Sequence, residues 1–230
     1  MKHLLVRIIK KIYHAENRYE PKQKPGEEPF GEHTLFRNVC YGTEYPNSFL
    51  DIYKSRKGDK APLLLFIHGG GFTWGSKEEG DPNAGKKHTD KDWFLKSFLE
   101  AGYDVAAFEY ALAPEYKYPT PILQLQQAVM FLQEHADEFA LDMERILLNG
   151  GSAGGNIAGQ YAAIQTNPDY AREMGMEQIL APGAIRCVLF NSALIDPTRY
   201  DVTHSGWFDY VLKKCGYAYY NEPVMENAAG

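Results

Sequence analysis

The sequence predicts an α/β fold, with a mostly parallel sheet and helices on both of its faces. Short apolar runs typical of buried strands alternate along the chain with longer segments of helical spacing. Two of these runs, at 63–68 and 145–149, lead directly into glycine-rich turns. The length of 230 residues suits a single large α/β domain over 1–230 better than two small ones.

The individual elements follow from local patterns. Apolar residues at helical spacing near the N-terminus predict a first helix (Leu4, Leu5, Ile8, Ile9 and Ile12). The proline-rich segment 19–33 favours a linker or loop, so that 1–30 forms an N-terminal helix or cap with its linker. The remaining patterns predict strands at 35–43, 48–55, 63–68, 104–110, 145–149 and 185–190, helices at 93–101, within 119–140 and at 157–164, and a cap-like segment at 198–230.

Charge and cysteine content exclude several classes of protein. The formal net charge of −6 provides no basic field for nucleic acid. The three cysteines lie far apart and show no metal-ligand spacing, which favours reduced thiols in a cytoplasmic protein without a metal or other cofactor (Cys40, Cys187 and Cys215).

The N-terminal stretch is apolar enough to raise the question of a targeting signal. Arg7, Lys10 and Lys11 interrupt its apolar run, so we expect no signal peptide and no membrane insertion. We expect this helix to lie on the core or over a pocket, in preference to binding a membrane surface.

The second glycine-rich turn, at 150–154, fits the pattern G-x-S-x-G. This turn lifts a serine hydroxyl above a sheet for nucleophilic attack, which makes Ser152 the candidate nucleophile. The first turn, at 68–72, fits the HGGG type that presents backbone N–H groups to an oxyanion. We therefore expect Gly70, Gly71 and Ala153 to donate the hydrogen bonds of an oxyanion hole.

Three blocks together resemble the hormone-sensitive-lipase branch of the α/β-hydrolase esterases. They are HGGGFTWGSK at 68–77, YALAPE at 110–115 and GSAGGN at 151–156, within a match from about residue 35 to about residue 200. The resemblance implies the α/β-hydrolase fold, with Ser152 as nucleophile, Gly70, Gly71 and Ala153 as oxyanion hole, and His68 as a structural residue. Two positions depart from the family pattern, Gly151 in place of an acidic residue and Ala111 in place of arginine.

The resemblance also predicts an acid and a base, and both follow the nucleophile in chain order. No strand-like run follows residue 192, so we expect the last strands of the fold to be missing and the catalytic Asp and His to lie beyond Gly230. Asp196 and His204 are a less favoured substitute pair. We accordingly expect the 230-residue chain alone to hydrolyse short esters poorly or not at all.

The predicted function is that of a serine carboxylic-ester hydrolase, acting on small apolar esters through an acyl-enzyme. Two alternatives stay open: a hydrolase-fold protein that binds a small molecule without turnover, and a deacetylase or amidase that uses the same site. The segment 80–87 nearly matches a P-loop but lacks the final hydroxyl residue, so we assign it to a surface loop. The oligomeric state is open, and a homo-oligomer is compatible with the sequence.

Overall fold

The computed structural model describes residues 3–77, 90–200 and 205–220. Its strands are β1 (Gly26–Phe30), β2 (His33–Cys40), β3 (Phe49–Lys54), β4 (Ala61–Ile67), β5 (Asp104–Phe108), β6 (Leu141–Gly151) and β7 (Ile185–Asn191). Its helices are α1 (Leu4–Ile12), α2 (Asp90–Glu100), α3 (Thr120–Glu134), α4 (Ala153–Thr166), α5 (Pro168–Glu173) and α6 (Gly206–Tyr219).

All of these strands belong to one mixed sheet, in the order β1-β2-β3-β5-β4-β6-β7. The first three strands pair antiparallel, and β3 is also antiparallel to β5. From β5 to β7 every pair is parallel. Five of the seven strands therefore run in the same direction, which confirms the predicted mostly parallel sheet.

Helices cover both faces of the sheet, as predicted. Alternate side chains of β4 point to opposite faces, with Leu63 and Leu65 on one side and Leu64 and Phe66 on the other. The Leu64 face packs against α2, through side chains such as Leu95. The larger core on the opposite face takes in α3 and α4 together with buried residues of α1 and α6.

The predicted loop at 19–33 is wrong in part, because it contains β1. This strand pairs with β2 at the sheet edge, where Pro29 lies opposite Thr34. Proline is compatible with an edge strand, because one side of such a strand has no partner for backbone hydrogen bonds. The strand was missed because its sequence, GEEPF, is mostly polar and exposed and has no apolar pattern. Phe30 is the one buried side chain of β1.

The predicted N-terminal helix is present as α1 and contacts α6. Its inward residues are Val6 and Lys10, whereas most of the predicted apolar stripe lies toward solvent. In the described parts of the chain, no helix has both the length and the apolar composition that crossing a membrane requires.

Candidate active site

Both glycine-rich turns lie at the same edge of the sheet. The strands β4 and β6 are parallel neighbours, and Ile67 of β4 pairs with Gly150 of β6. Strand β4 ends at Ile67 and β6 ends at Gly151, and each passes directly into its turn. A methyl group placed on Gly69 would lie 3.3 Å from Ser152 Cβ. The fold therefore brings the two predicted turns into direct contact.

Ser152 occupies a strained backbone conformation between β6 and α4. Its φ of 51° and ψ of −117° lie in a region that side-chain-bearing residues rarely adopt. The Ser152 N–H donates to the Asn191 carbonyl at 2.9 Å, and the Ser152 carbonyl accepts from the Leu194 N–H at 2.9 Å. The Ser152 hydroxyl does not cap α4. The backbone of the turn is thus held by hydrogen bonds to the end of β7 and the segment after it, and the Ser152 hydroxyl takes no part in them.

The glycines around Ser152 permit close backbone contacts. A Cβ on Gly150 would lie 2.2 Å from the Gly154 carbonyl oxygen, and one on Gly154 would lie 2.2 Å from the Ile67 carbonyl oxygen. Both distances are far below van der Waals contact. In contrast, a Cβ on Gly151 would meet the Asn191 oxygen at an ordinary 3.7 Å. Gly150 and Gly154 are therefore steric requirements of the turn, and Gly151 is not.

The first turn folds back on itself at Gly70. The Gly70 carbonyl accepts from the N–H groups of Thr73 and Trp74, both at 3.0 Å. Gly70 has a φ of 98° and Gly71 a φ of 57°, and a Cβ on Gly70 would lie 2.0 Å from the Trp74 carbonyl oxygen. Only glycine fits this position without moving the loop.

The candidate oxyanion donors have no competing acceptor among the residues that the structure describes. Across residues 3–77, 90–200 and 205–220, the N–H groups of Gly70, Gly71 and Ala153 make no hydrogen bond to the protein. Ala153 is also the first residue of α4, where the helix dipole places partial positive charge. The arrangement favours negative charge beside Ser152.

His68 lies beneath the loop and is fully buried. Its Nδ1 lies 2.8 Å from the Gly69 carbonyl oxygen, its ring stacks on Tyr110 at 4.1 Å, and Nε2 lies 3.7 Å from Glu109 Oε1. No imidazole nitrogen hydrogen-bonds to Ser152 in the described residues. These contacts fit the structural role that the resemblance implies for His68.

Glu109 joins the two ends of the loop. Its Oε2 accepts from the Ser76 hydroxyl and from the Lys77 N–H, both at 2.9 Å, while Oε1 faces His68. Burial raises the pKa of the Glu109 carboxyl, against the opposing effects of His68 and Lys77. Glu109 was missed by sequence analysis, although it directly precedes the YALAPE block.

A buried ion pair anchors the end of the loop to the sheet. Lys77 Nζ lies 2.8 Å from Asp51 Oδ2 on β3, and both side chains are almost completely buried. Asp51 Oδ1 also accepts from the Asn38 N–H at 2.7 Å, and Arg37 lies 4.0 Å from Oδ2. Asp51 therefore balances the cations beneath the first turn.

Replacing Asp51 with alanine is expected to lower the free energy of unfolding by about 3–5 kcal/mol, because it leaves Lys77 buried without its carboxylate. Urea denaturation measures this loss. The matched control is Asp137→Ala, which removes an exposed carboxylate paired with Lys60. It should leave the midpoint unchanged. Equal midpoints for the two variants would contradict the anchoring role.

Helix α6 covers the first turn. A Cβ on Gly71 would lie 3.1 Å from Cys215 Sγ, and the Tyr219 ring stacks on Phe72 at 3.7 Å. Burial raises the pKa of the Cys215 thiol to about 11, so this thiol is protonated at neutral pH. The predicted cap-like segment is described only in part, at 198–200 and 205–220, and α6 is its main element.

Lys10 places a cation at the YALAPE block, in which the resemblance leads us to expect an arginine where this chain has Ala111. Ala111 is fully buried in the core. Lys10 Nζ from α1 forms an ion pair with Glu115 and donates to the Ala113 carbonyl at 3.2 Å. Helix α1 is thereby tied to the loop that follows β5.

The structure brings the elements carrying Ser152, Ala153, Gly70 and Gly71 to one edge of the sheet. Asp196 lies beyond β7, whereas His204 and the near P-loop at 80–87 are outside the described residues. Asn156 was also missed as a support of the site. Its Nδ2 donates to the Leu194 carbonyl at 2.9 Å and braces the segment that holds the Ser152 carbonyl.

Comparison with known proteins identifies similar chains. The BD-FAE family model matches residues 50–196. Esterase LipI of Mycobacterium tuberculosis is 34% identical over 116 residues, which are 50% of this chain and 31% of LipI. Lipase 2 of a Moraxella species is 30% identical over 162 residues, which are 70% of this chain and 33% of that lipase. The chain thus spans about a third of the length of these curated relatives.

Solved structures show the same fold. Esterase B from Lactobacillus rhamnosis superposes with a TM-score of 0.67 and 17% identity, over 97% of this chain and 66% of the esterase. This likeness confirms the predicted α/β-hydrolase fold. The relatives named as esterases and lipases confirm the resemblance to the hormone-sensitive-lipase branch of the esterases. Because the family model covers well over half of the residues, the chain belongs to the BD-FAE family.

Proposed function

We propose that the chain carries the nucleophile and the oxyanion hole of a serine carboxylic-ester hydrolase that acts through an acyl-enzyme. In this proposal Ser152 Oγ attacks the carbonyl carbon of an ester, and the carbonyl oxygen takes up the negative charge. A general base takes the Ser152 hydroxyl proton during the attack and gives it to the leaving alcohol. The same base then takes a proton from water, which attacks the acyl carbon and releases the carboxylic acid as the Ser152 hydroxyl is restored. The supporting observation is the direct contact between the Ser152 turn and the Gly69–Gly71 turn at the ends of adjacent strands.

The oxyanion hole is proposed to consist of the N–H groups of Gly70, Gly71 and Ala153. Their lack of other acceptors in the described residues and the N-terminus of α4 support this assignment. Removing one such donor typically costs about 100- to 1000-fold in turnover. The Ser152 hydroxyl also needs a general base to remove its proton. We propose that this base lies outside the described residues.

Substrates are proposed to be small apolar esters, and the chemistry is proposed to need no cofactor. Relatives named esterase and carboxylesterase support the ester class. The three cysteines are free, which favours the proposed cytoplasmic location.

Labelling with a fluorophosphonate reagent tests the nucleophile. We expect mass spectrometry of the labelled protein to place a single adduct on Ser152, and the Ser152→Ala variant to carry none. Ser205, an exposed serine at the start of α6, gives the matched control in Ser205→Ala, which should label like the parent chain. The reagent needs an activated hydroxyl, so it is an unmodified Ser152 in a protein that also supplies the general base that would favour the alternative of a binding protein without turnover.

A further inference from the structure

The hydrogen bond of the His68 ring to the first turn fixes the tautomer of the ring. Nδ1 lies 2.8 Å from the Gly69 carbonyl oxygen. A carbonyl oxygen only accepts, so Nδ1 carries the proton of this hydrogen bond. In the neutral ring the other nitrogen, Nε2, is then an acceptor. The ring is fully buried, and Nε2 has no hydrogen-bond partner among the described residues.

Glu109 brings a second acceptor to the same place. Its Oε1 lies 3.7 Å from His68 Nε2, and its side chain is only 13% exposed. The other oxygen, Oε2, already accepts from the Ser76 hydroxyl and the Lys77 N–H. A neutral ring beside an ionised carboxylate would set two buried acceptors against each other, which is costly. One additional proton, on either Nε2 or Oε1, removes the conflict.

The cations near Glu109 are bound elsewhere. Lys77 Nζ lies 2.8 Å from Asp51 Oδ2, and Arg37 lies 4.0 Å from the same oxygen. The cavity beside Glu109 is also bordered by charged residues of the N-terminal segment, whose side chains make no hydrogen bond to Glu109 in the described parts of the chain (Glu16, Arg18, Glu20 and Lys22). The imidazole of His68 is therefore the group that faces Oε1.

Two phenols also pack against the pair, and both are engaged with main-chain oxygens. The Tyr41 hydroxyl donates to the Glu109 carbonyl at 2.8 Å, and the Tyr110 hydroxyl donates to the His68 carbonyl at 3.0 Å. Burial raises the pKa of the Glu109 carboxyl against the opposing effects of His68 and Lys77. This direction agrees with a carboxyl that takes part in holding a proton.

The pair spans the first turn from one end to the other. His68 begins the turn, and a Cβ on Gly75 at its far end would lie 2.6 Å from His68 Nδ1. Glu109 binds the two residues that follow Gly75. The candidate donors Gly70 and Gly71 lie between these anchors, so a movement of the pair would move them as well.

We propose that His68 and Glu109 hold one shared proton at neutral pH, and that this proton keeps the first turn in the shape that binds an oxyanion. Loss of the proton at alkaline pH sets the Glu109 carboxylate against the lone pair of Nε2, and the turn has to move. The effect on the oxyanion hole rests on the proposed function, whereas the shared proton does not. Both side chains are positioning residues, because they act through the loop.

The shared proton makes stability depend on pH in a defined direction. A free histidine releases its proton at about pH 6.5 and a free glutamic acid at about pH 4.3. The folded pair keeps a proton that the unfolded chain has released. The stabilisation is therefore complete below about pH 6.5, and it is lost as the pH rises through the range in which the folded pair releases the proton.

Glu109→Gln tests the shared proton, because its amide reproduces the protonated acid. The amide N–H donates to His68 Nε2 while the amide oxygen accepts from Ser76 and Lys77. Urea denaturation of the whole chain gives the unfolding equilibrium constants of the parent and the variant between about pH 7 and about pH 9. We expect the constant of the parent to rise relative to that of Glu109→Gln by up to about 10-fold per pH unit, the effect of one proton.

Glu115→Gln is the matched control, since Glu115 is an exposed glutamate paired with Lys10 instead of a histidine. Its unfolding constant should differ from that of the parent by the same factor at every pH. A constant ratio between the parent and Glu109→Gln would overturn the shared proton.

Nuclear magnetic resonance of the parent chain gives a second test that needs no variant. The nitrogen shifts of the His68 ring and the carboxyl carbon shift of Glu109 are measured at neutral pH. We expect one proton in total on Nε2 and the carboxyl group. A neutral ring beside an ionised carboxylate, as a bridging water molecule would permit, would contradict the proposal.

The Ser152→Cys protein tests the effect on the turn. The acylation rate of the introduced thiol by p-nitrophenyl acetate is divided by its alkylation rate by iodoacetamide, which forms no oxyanion. We expect this ratio to fall at least about 10-fold from about pH 7 to about pH 9, and to stay constant when Glu109→Gln is also present. A ratio that stays constant in both proteins would overturn the effect on the turn. A ratio no higher than that of a free thiol at every pH would overturn the oxyanion hole itself, whereas the stability measurement decides the shared proton independently.

Discussion

Replacing Gly154 with alanine is expected to lower the free energy of unfolding by at least about 3 kcal/mol and to abolish labelling of Ser152. The added Cβ would lie 2.2 Å from the Ile67 carbonyl oxygen and 2.5 Å from that of His68. Both atoms belong to backbone, so neither can rotate away, and the strand end or the turn has to move. This loss is at the upper end of the cost of overpacking.

The neighbouring Gly151 provides a matched control for this substitution. Its added Cβ would lie 3.7 Å from the nearest atom, the Asn191 carbonyl oxygen. Gly151→Ala is therefore expected to keep both its unfolding midpoint in urea and its reactivity toward the fluorophosphonate. Equal destabilisation by the two substitutions would show that the turn is not packed against β4 as described.

Replacing Ser152 with glycine is expected to abolish labelling and, at the same time, to stabilise the protein by about 1 kcal/mol. A side-chain-bearing residue at a φ of 51° and a ψ of −117° carries about 1–3 kcal/mol of strain. Glycine relieves this strain but loses about 0.5–1 kcal/mol through the entropy of the unfolded chain. Urea denaturation and mass spectrometry measure the two effects separately.

Ser152→Ala separates the hydroxyl from the backbone conformation. This variant also lacks the nucleophile, but its Cβ retains the strain, so its stability should stay close to that of the parent chain. A gain in stability from alanine as large as that from glycine would assign the effect to the hydroxyl and not to the backbone.

The fold could be predicted where the burial of a strand or helix leaves a recognisable apolar pattern in the sequence. Strands such as β4 and β5 are buried on both faces and appear as continuous apolar runs. Strand β1 lies at the sheet edge, and its polar sequence with Pro29 gives no such signal. The outward orientation of Ile8 could not be predicted either, because an amphipathic pattern does not say which side of a helix finds a partner.

The geometry of the candidate site could be predicted where a motif implies local structure, as in the turns that carry Ser152 and Gly70. The supports beneath them were not, because they join residues far apart in sequence. Glu109 binds the loop end at Ser76 and Lys77, and Asp51 binds Lys77 from a third segment. Such contacts depend on the order of β3, β5 and β4 in the sheet, which spacing alone does not specify.

The central claim is that the N–H groups of the first turn and of Ala153 stabilise the oxyanion that forms on a substrate carbonyl oxygen when residue 152 attacks the carbonyl carbon. Ser152→Cys tests it without a general base, since a few per cent of a free thiol is ionised at neutral pH. The exposed thiols of Cys40 and Cys187 serve as internal references in the same molecule. Mass spectrometry compares acylation of each thiol by p-nitrophenyl acetate with its alkylation by iodoacetamide, which forms no oxyanion.

Dividing the acylation rate of each thiol by its alkylation rate corrects for differences in exposure and in thiolate content between the thiols, because both reactions depend on these two properties. We predict that the ratio of acylation rate to alkylation rate is about 100-fold higher for the S152C thiol than for Cys40 or Cys187. A ratio equal to that of the reference thiols would contradict an oxyanion hole at Gly70, Gly71 and Ala153.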